Sequence, residues 1–268
     1  MPLMVLNTVM EQCRKLFFFS QACGARIVVL NVINIDNESA TSAHAVSTST
    51  RGRTKEYIEN IKKMAADNDI ECKVIIEESY QPDKTIVDLA YQNNADLIIM
   101  GRHGRKRLLK LLVGSMTSKV IGRGFPRVLI VPKDFSITGK RILVAHDGSE
   151  LSEMATEEAM SMSVTCSTLE EVYVLSVAKK DDGPDHAKQL AESVCDKFKD
   201  KGLGAKCFPL AAVGRPSEII VNKATENNVD LILVGGHGKG LGKLLMGHVT
   251  EKVIGKAHCA VFVVGKKK

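Results

Sequence analysis

One short pattern occurs twice in this chain and limits the fold more than any other feature. Asp96-Leu97-Ile98-Ile99-Met100 runs into Gly101-Arg102-His103-Gly104, and after nine further residues comes Gly114-Ser115. Asp230-Leu231-Ile232-Leu233-Val234 runs into Gly235-Gly236-His237-Gly238, and after eight comes Gly247-His248. Each apolar run has the character of a buried strand, and a segment with helical spacing follows each closing glycine. Strand, glycine loop and helix start together aim backbone N–H groups at a phosphate.

The duplication extends outward from the loops. Asn94-Ala95-Asp96 matches Asn228-Val229-Asp230 at an offset of 134, and Val120-Ile121-Gly122 matches Val253-Ile254-Gly255 at 133, so the second loop is one residue shorter. Leu30-Asn31-Val32 matches Leu175-Ser176-Val177 at an offset of 145. Carried to the chain start, that offset drops Asp147 onto Pro2. The first copy is therefore expected to lack its opening strand and the acid after it, with Met4-Val5-Leu6 as a vestige.

In order, the spacing predicts a helix over 8–22, a strand at 27–32, a Ser/Thr-rich loop over 36–54, a helix over 55–67 and a strand at 71–76. A helix opened by Pro82 follows, then a strand at 97–101, a helix at 115–123 and a strand at 127–131. After a joint at Gly139-Lys140, strands are expected at 141–146, 172–177, 205–211, 231–235 and 260–264. Helices are expected at 150–163, 184–200, from Pro216, and at 248–256, with Ser149 or Asp147 capping the first of these. Alternating strands and helices mean an α/β fold of two tandem domains, 1–137 and 138–268, each a parallel sheet with flanking helices.

Composition narrows the class. No apolar run approaches the roughly 18–20 residues of a membrane span, and the first residues have no signal-peptide pattern. The seven cysteines are scattered without a Cys-x-x-Cys. That predicts a reducing cytoplasm, no disulfide framework and no zinc ribbon, with Cys166, Cys207 and Cys259 as small core residues. Of the net charge of +6, residues 1–137 carry +5 (19 basic, 14 acidic) and the remainder +1 (18 basic, 17 acidic). Arg102, Arg105, Lys106, Arg107 and Lys110 cluster inside the first loop. Four Tyr, eight Phe and no Trp leave little for base stacking, which disfavours nucleic acid.

The strand-Asp-Gly-Ser start at 142–149, the segment Gly24 to Val32 and the duplicated G-x-H-G-x9-G-S loop resemble the universal stress protein family over nearly the whole chain. The resemblance implies two Rossmann-like domains of the adenine nucleotide alpha hydrolase type. It also implies ATP or AMP binding, with Mg as an optional companion, in a regulatory and not a catalytic role. In the first copy it assigns phosphate and ribose contacts to Gly101, Gly104, Gly114 and Ser115, with Met116 offering backbone and Val32 and Met100 lining the nucleoside. In the second the counterparts are Val177, Val234, Gly235, Gly238, Gly247, His248 and Val249, with Asp147 near the adenosine. It further implies an intramolecular pseudo-dimer through the last strands, 128–131 against 261–264, a homodimer as a further assembly, and a protein partner of unknown identity.

Glycine in these loops suggests positive φ and close backbone approach to a ligand. His103 and His237 hold equivalent places, but neither has a second ligand at i+3 or i+4, so a loop-bracing hydrogen bond is the plainer reading than a metal. His146, Asp147 and Ser149 contain the letters of a triad without its geometry. Neither loop ends in the Lys-Ser/Thr of a P-loop. Three readings stay open: a nucleotide-binding regulator, a scaffold of the same fold that has lost nucleotide, and an enzyme or flavoprotein of the wider class.

Overall fold

The computed structural model describes residues 26–35, 58–102, 113–132, 137–178, 183–236 and 246–266, and the backbone of 2–6. The expected helix over 8–22 and the Ser/Thr-rich loop over 36–54 lie outside these residues, as do His103, Gly104, Arg105 to Lys110, His237 and Gly238. Two compact units divide the chain, 1–101 and 102–268. Among the described residues no helix is long and apolar enough to cross a membrane.

The first unit contains β1 (Pro2–Leu6), β2 (Arg26–Asn34), α1 (58–66), β3 (Cys72–Ser79), α2 (Pro82–Gln92) and β4 (Leu97–Gly101). Its strands lie in the order β3-β2-β1-β4, all parallel. The run Ile27 to Leu30 and the run Leu97 to Met100 are buried without interruption, as strands covered on both faces require. Each Ile or Leu so buried contributes about 1.5–3 kcal/mol.

The opening strand expected to be missing is present. β1 pairs with β2 through Pro2–Arg26 and Leu3–Ile27, and with β4 through Leu3–Leu97. In the second unit β6 (Arg141–Ala145) makes the same pairings, Arg141–Glu171, Ile142–Val172 and Ile142–Leu231. Leu3 is thus the counterpart of Ile142, an offset of 139. The offset of 145 misleads because the β1–β2 connection, 7–25, is 19 residues long, whereas its counterpart, 146–170, has 25. Counted from the strand end, the residue matching Asp147 is Thr8, so the acid is absent although the strand is not.

The second unit continues with α3 (Ser115–Gly122), β5 (Arg127–Val131), β6, α4 (Glu150–Thr165), β7 (Glu171–Ala178), α5 (Pro184–Asp200), β8 (Lys206–Val213), α6 (Pro216–Glu226), β9 (Leu231–Gly235), α7 (His248–Lys256) and β10 (Ala260–Val264). The strand order is β5-β10-β9-β6-β7-β8. Every pairing is parallel except β5 with β10, where Ile130 faces Val261 and Val128 faces Val263. Compactness therefore divides the chain before β5, whereas the repeat boundary read from the sequence falls after it.

Local chemistry explains the element ends. Pro82, Pro184 and Pro216 open α2, α5 and α6 in the first turn, where a missing N–H costs nothing. α2 and α6 are each followed by an Asn at the same repeat position in the left-handed region, Asn94 at φ 51° and Asn228 at φ 50°.

One expectation about cysteine is overturned. Cys195 in α5 and Cys207 in β8 form a disulfide, with their Cα atoms 5.3 Å apart. Adjacent packing of helix and strand brings them together, which no spacing rule for paired cysteines would signal. Cys259 is the buried core residue expected, its thiol pushed up to about 12 chiefly by burial, and Cys166 is half-buried.

Candidate functional site

Apart from Gly238, which lies outside the described residues, the candidate residues of the second repeat all fall in one unit. Its strand order reverses between β6 and β9, with β7 and β8 on one side and β10 on the other. At such a reversal the loops leaving the two strands part in opposite directions and open a crevice at their carboxyl ends. The register Val144–Leu233 puts Asp147 and Gly235 at that edge, and Ala145–Leu175 carries Val177 to the same end.

The turn leaving β6 is tightly specified. Gly148 takes φ 71°, which an L side chain resists. Asp147 is exposed; its Oδ1 accepts from the Ser149 N–H at 2.9 Å, and its own N–H donates to Ser152 Oγ at 3.3 Å. Ser149 caps α4, its hydroxyl accepting from the Ser152 N–H at 3.3 Å. His146 points the other way. Its ring is buried, with Nδ1 3.2 Å from Thr156 Oγ1 and Nε2 3.7 Å from Glu153 Oε1. Burial lowers its pKa, with Glu153 opposing. The three letters of a triad are thus dispersed, since neither His146 contact is to Ser149.

The loop after β9 is clasped at both ends. Gly236 N–H donates to Val264 O at 2.7 Å, and Gly247 N–H donates to Gly236 O at 2.8 Å. Thr250 Oγ1 donates to Gly235 O at 2.8 Å, tying the first turn of α7 to the end of β9. Arg102 and Gly114 repeat this clasp, with Arg102 N–H to Val131 O at 3.1 Å and Gly114 N–H to Arg102 O at 3.3 Å. Sequence reasoning passed over Thr250. The available signal was its match with Thr117 at the offset of 133, since both are buried threonines in the first turn of a helix.

Gly247 and Gly114 cap α7 and α3, and neither helix has a side-chain cap hydrogen bond, in contrast to α4. At the start of α7 the N–H groups of His248 and Val249 have no acceptor among the described residues, and the helix dipole favours an anion there. His248 and Val249 are exposed. The positive φ expected of these glycines is not found, since Gly114 sits at φ −59° and Gly247 at φ −63°. Extended backbone of that kind is open to other residues.

Gly235 has a packing reason of its own. A Cβ there would lie 2.8 Å from Leu151 Cβ and 3.2 Å from the Leu151 carbonyl carbon. The start of α4 is pressed against the end of β9. Val234 and Met100 are each 3% exposed, their side chains packed in the core. Backbone is what they present at the sheet edge.

Residues assigned to the first copy fall in both units. Val32, half-buried, and Gly101, buried, lie in the first unit with Met100. Gly114, exposed Ser115 and half-buried Met116 lie in the second. Arg102, one of the basic residues clustered in the first loop, makes a contact of its own. Its guanidinium donates to Ala257 O at the C-terminal end of α7, where a cation is favoured, and burial lowers its pKa.

The sequence model of the Universal stress protein family matches residues 11–132 and again 139–265. The chain belongs to that family. A universal stress protein of Methanocaldococcus jannaschii is 31% identical over 144 residues, covering 48% of this chain and 84% of that protein. One of Mycobacterium bovis is 28% identical over 198 residues, 68% of this chain, and the match spans 65% of the relative's length. A universal stress protein from Archaeoglobus fulgidus of known crystal structure shares the fold, with a TM-score of 0.79 at 22% identity over 100% of this chain and 97% of that one.

Proposed function

We propose that the chain is a regulatory adenine-nucleotide-binding protein, taking ATP or AMP at the carboxyl edge of the second repeat. The supporting observation is the uncapped start of α7, held by Thr250 and Gly247 against the end of β9 at the edge where the strand order reverses. In this reading the phosphates accept from the N–H groups of His248 and Val249. Asp147, across the crevice, faces the ribose or base. Gly247 leaves the helix start without a competing side-chain acceptor, which suits an anion. His248 stands where the first repeat has the Ser115 hydroxyl, so its contribution here is the backbone N–H. The start of α3, with Gly114 and exposed Ser115, offers the corresponding phosphate contacts in the first repeat.

We further read residues 1–137 and 138–268 as the two repeats, and the antiparallel pairing of β5 with β10 as the seam of an intramolecular pseudo-dimer. Calorimetric titration of the full chain with ATP and AMP tests the function. His248→Glu places a carboxylate where a phosphate would lie and should weaken the second site at least tenfold, about 1.4 kcal/mol or more. No heat at millimolar nucleotide, together with no nucleotide released on denaturation, would refute binding and leave the scaffold reading. Turnover of ATP above background would refute the purely regulatory role.

A further inference from the structure

We propose that Cys195 and Cys207 form a reversible thiol–disulfide latch, operated by dithiol reductants, that fixes the edge strand β8 to helix α5. The bond joins the last turns of α5 to the second residue of β8. β8 pairs with β7 from Glu171–Lys206 to Ala178–Val213, and among the described residues no strand pairs with its other edge. Pro209 donates no bond from the middle of that strand. What keeps the edge in place is one row of hydrogen bonds, packing against α5, and the covalent link where the strand begins.

The link is not part of the scaffold common to both repeats. By register Cys72 is the counterpart of Cys207, since Ile27 faces Cys72 as Val172 faces Cys207. The residues that end α1 and α5 in the left-handed region, Asp69 and Gly202, are also counterparts. Counting back from them puts Lys62 in the place of Cys195. The first repeat therefore has a lysine beside a free thiol, and Lys62 lowers the Cys72 pKa against the larger raising effect of burial. Only the second repeat has two sulfurs at this place.

The chemistry balances with a dithiol. One reductant thiolate attacks Cys207 Sγ, the sulfur of the half-buried residue, and Cys195 leaves as a thiolate and takes a proton. The second reductant thiol attacks the mixed disulfide and releases Cys207. Two electrons and two protons pass to the cysteines, and the reductant becomes a disulfide. A small disulfide oxidant reverses the steps. Buried Cys259, with its thiol pushed up to about 12, supplies almost no competing thiolate.

The test equilibrates the folded full chain across a series of reduced-to-oxidised dithiothreitol ratios, followed by alkylation, peptide mapping and hydrogen exchange. Cys195 and Cys207 should become alkylated together, with one two-electron midpoint reached from both directions. Exchange in residues 203–213 should be roughly tenfold faster in the reduced protein, with 231–235 unchanged. The double variant Cys195→Ser/Cys207→Ser should exchange like the reduced protein at every ratio. Absence of the linked peptide at the most oxidising ratio would overturn the latch. So would reduction only on global unfolding, equal exchange of β8 in both states, or a double variant that behaves as the oxidised protein does.

Discussion

Gly235→Ala separates packing from ligand contact as the reason for glycine at the end of β9. The added Cβ would stand 2.8 Å from Leu151 Cβ and 3.2 Å from the Leu151 carbonyl carbon. Neither atom can swing aside, because both are fixed to the backbone of α4. Restoring ordinary contact requires the helix start to move by about 0.6 Å, and overpacking of that kind costs ~1–3 kcal/mol. At about 2–4 °C per kcal/mol for a chain of this size, the nucleotide-free protein should melt roughly 2–12 °C lower. Gly236→Ala is the matched control, since its Cβ would meet Val264 O at 3.4 Å and Val263 Cγ1 at 3.6 Å, ordinary contacts. Its Tm should stay within about 1 °C of the wild type. Both are read by calorimetry without ligand. A Gly235→Ala protein that melts with the wild type, or a control that melts as low, would refute the packing argument.

Three further perturbations follow from the same contacts. His146 has its pKa lowered by burial, so the unfolded chain takes up its proton first as pH falls. Its contribution is complete above about pH 6.5 and is lost as pH falls through the lower folded value; chemical denaturation from pH 7.5 to 5 should show the decline, and His146→Gln should flatten it. The groups biasing it are Glu153 and Asp147, which favour the proton, and Lys197, which opposes it. Ser149→Ala removes the α4 cap and should cost about 1 kcal/mol in urea unfolding; a change below about 0.3 kcal/mol would mean the turn holds without the hydroxyl. Arg102→Met keeps the apolar stem but loses the bond to Ala257 O, and should cost about 1–2 kcal/mol by the same measurement.

What could be read from sequence depended on how local its cause is. The strands of the second unit were legible because runs such as Leu231 to Val234 are buried residue after residue, and the pattern carries no competing period. The prolines at 82, 184 and 216 and the cap at Ser149 act within one turn, so they too could be read directly. The repeat itself pointed to the candidate site, because two copies of one loop behind matched strands constrain each other. β1 was missed for a reason of bookkeeping. Sequence offset carries every insertion between landmarks, whereas strand register carries none, and only register identifies Leu3 with Ile142.

The glycines show where letters stop determining physics. A glycine can be required by its own φ, by a neighbour's bulk or by a ligand, and the three are identical in sequence. At Gly148 it is φ, at 71°. At Gly235 it is Leu151, 84 residues earlier in the chain. At Gly114 and Gly247 the backbone is extended at φ −59° and −63°, so conformational freedom is not their role. Glycine also brings no side-chain acceptor to either helix start, where a hydroxyl or carboxylate would take up first-turn N–H groups. On the proposed reading, glycine at these two helix starts keeps a competing side-chain acceptor away from a phosphate, while the clasps to Val264 and Val131 hold the starts at the ends of their loops.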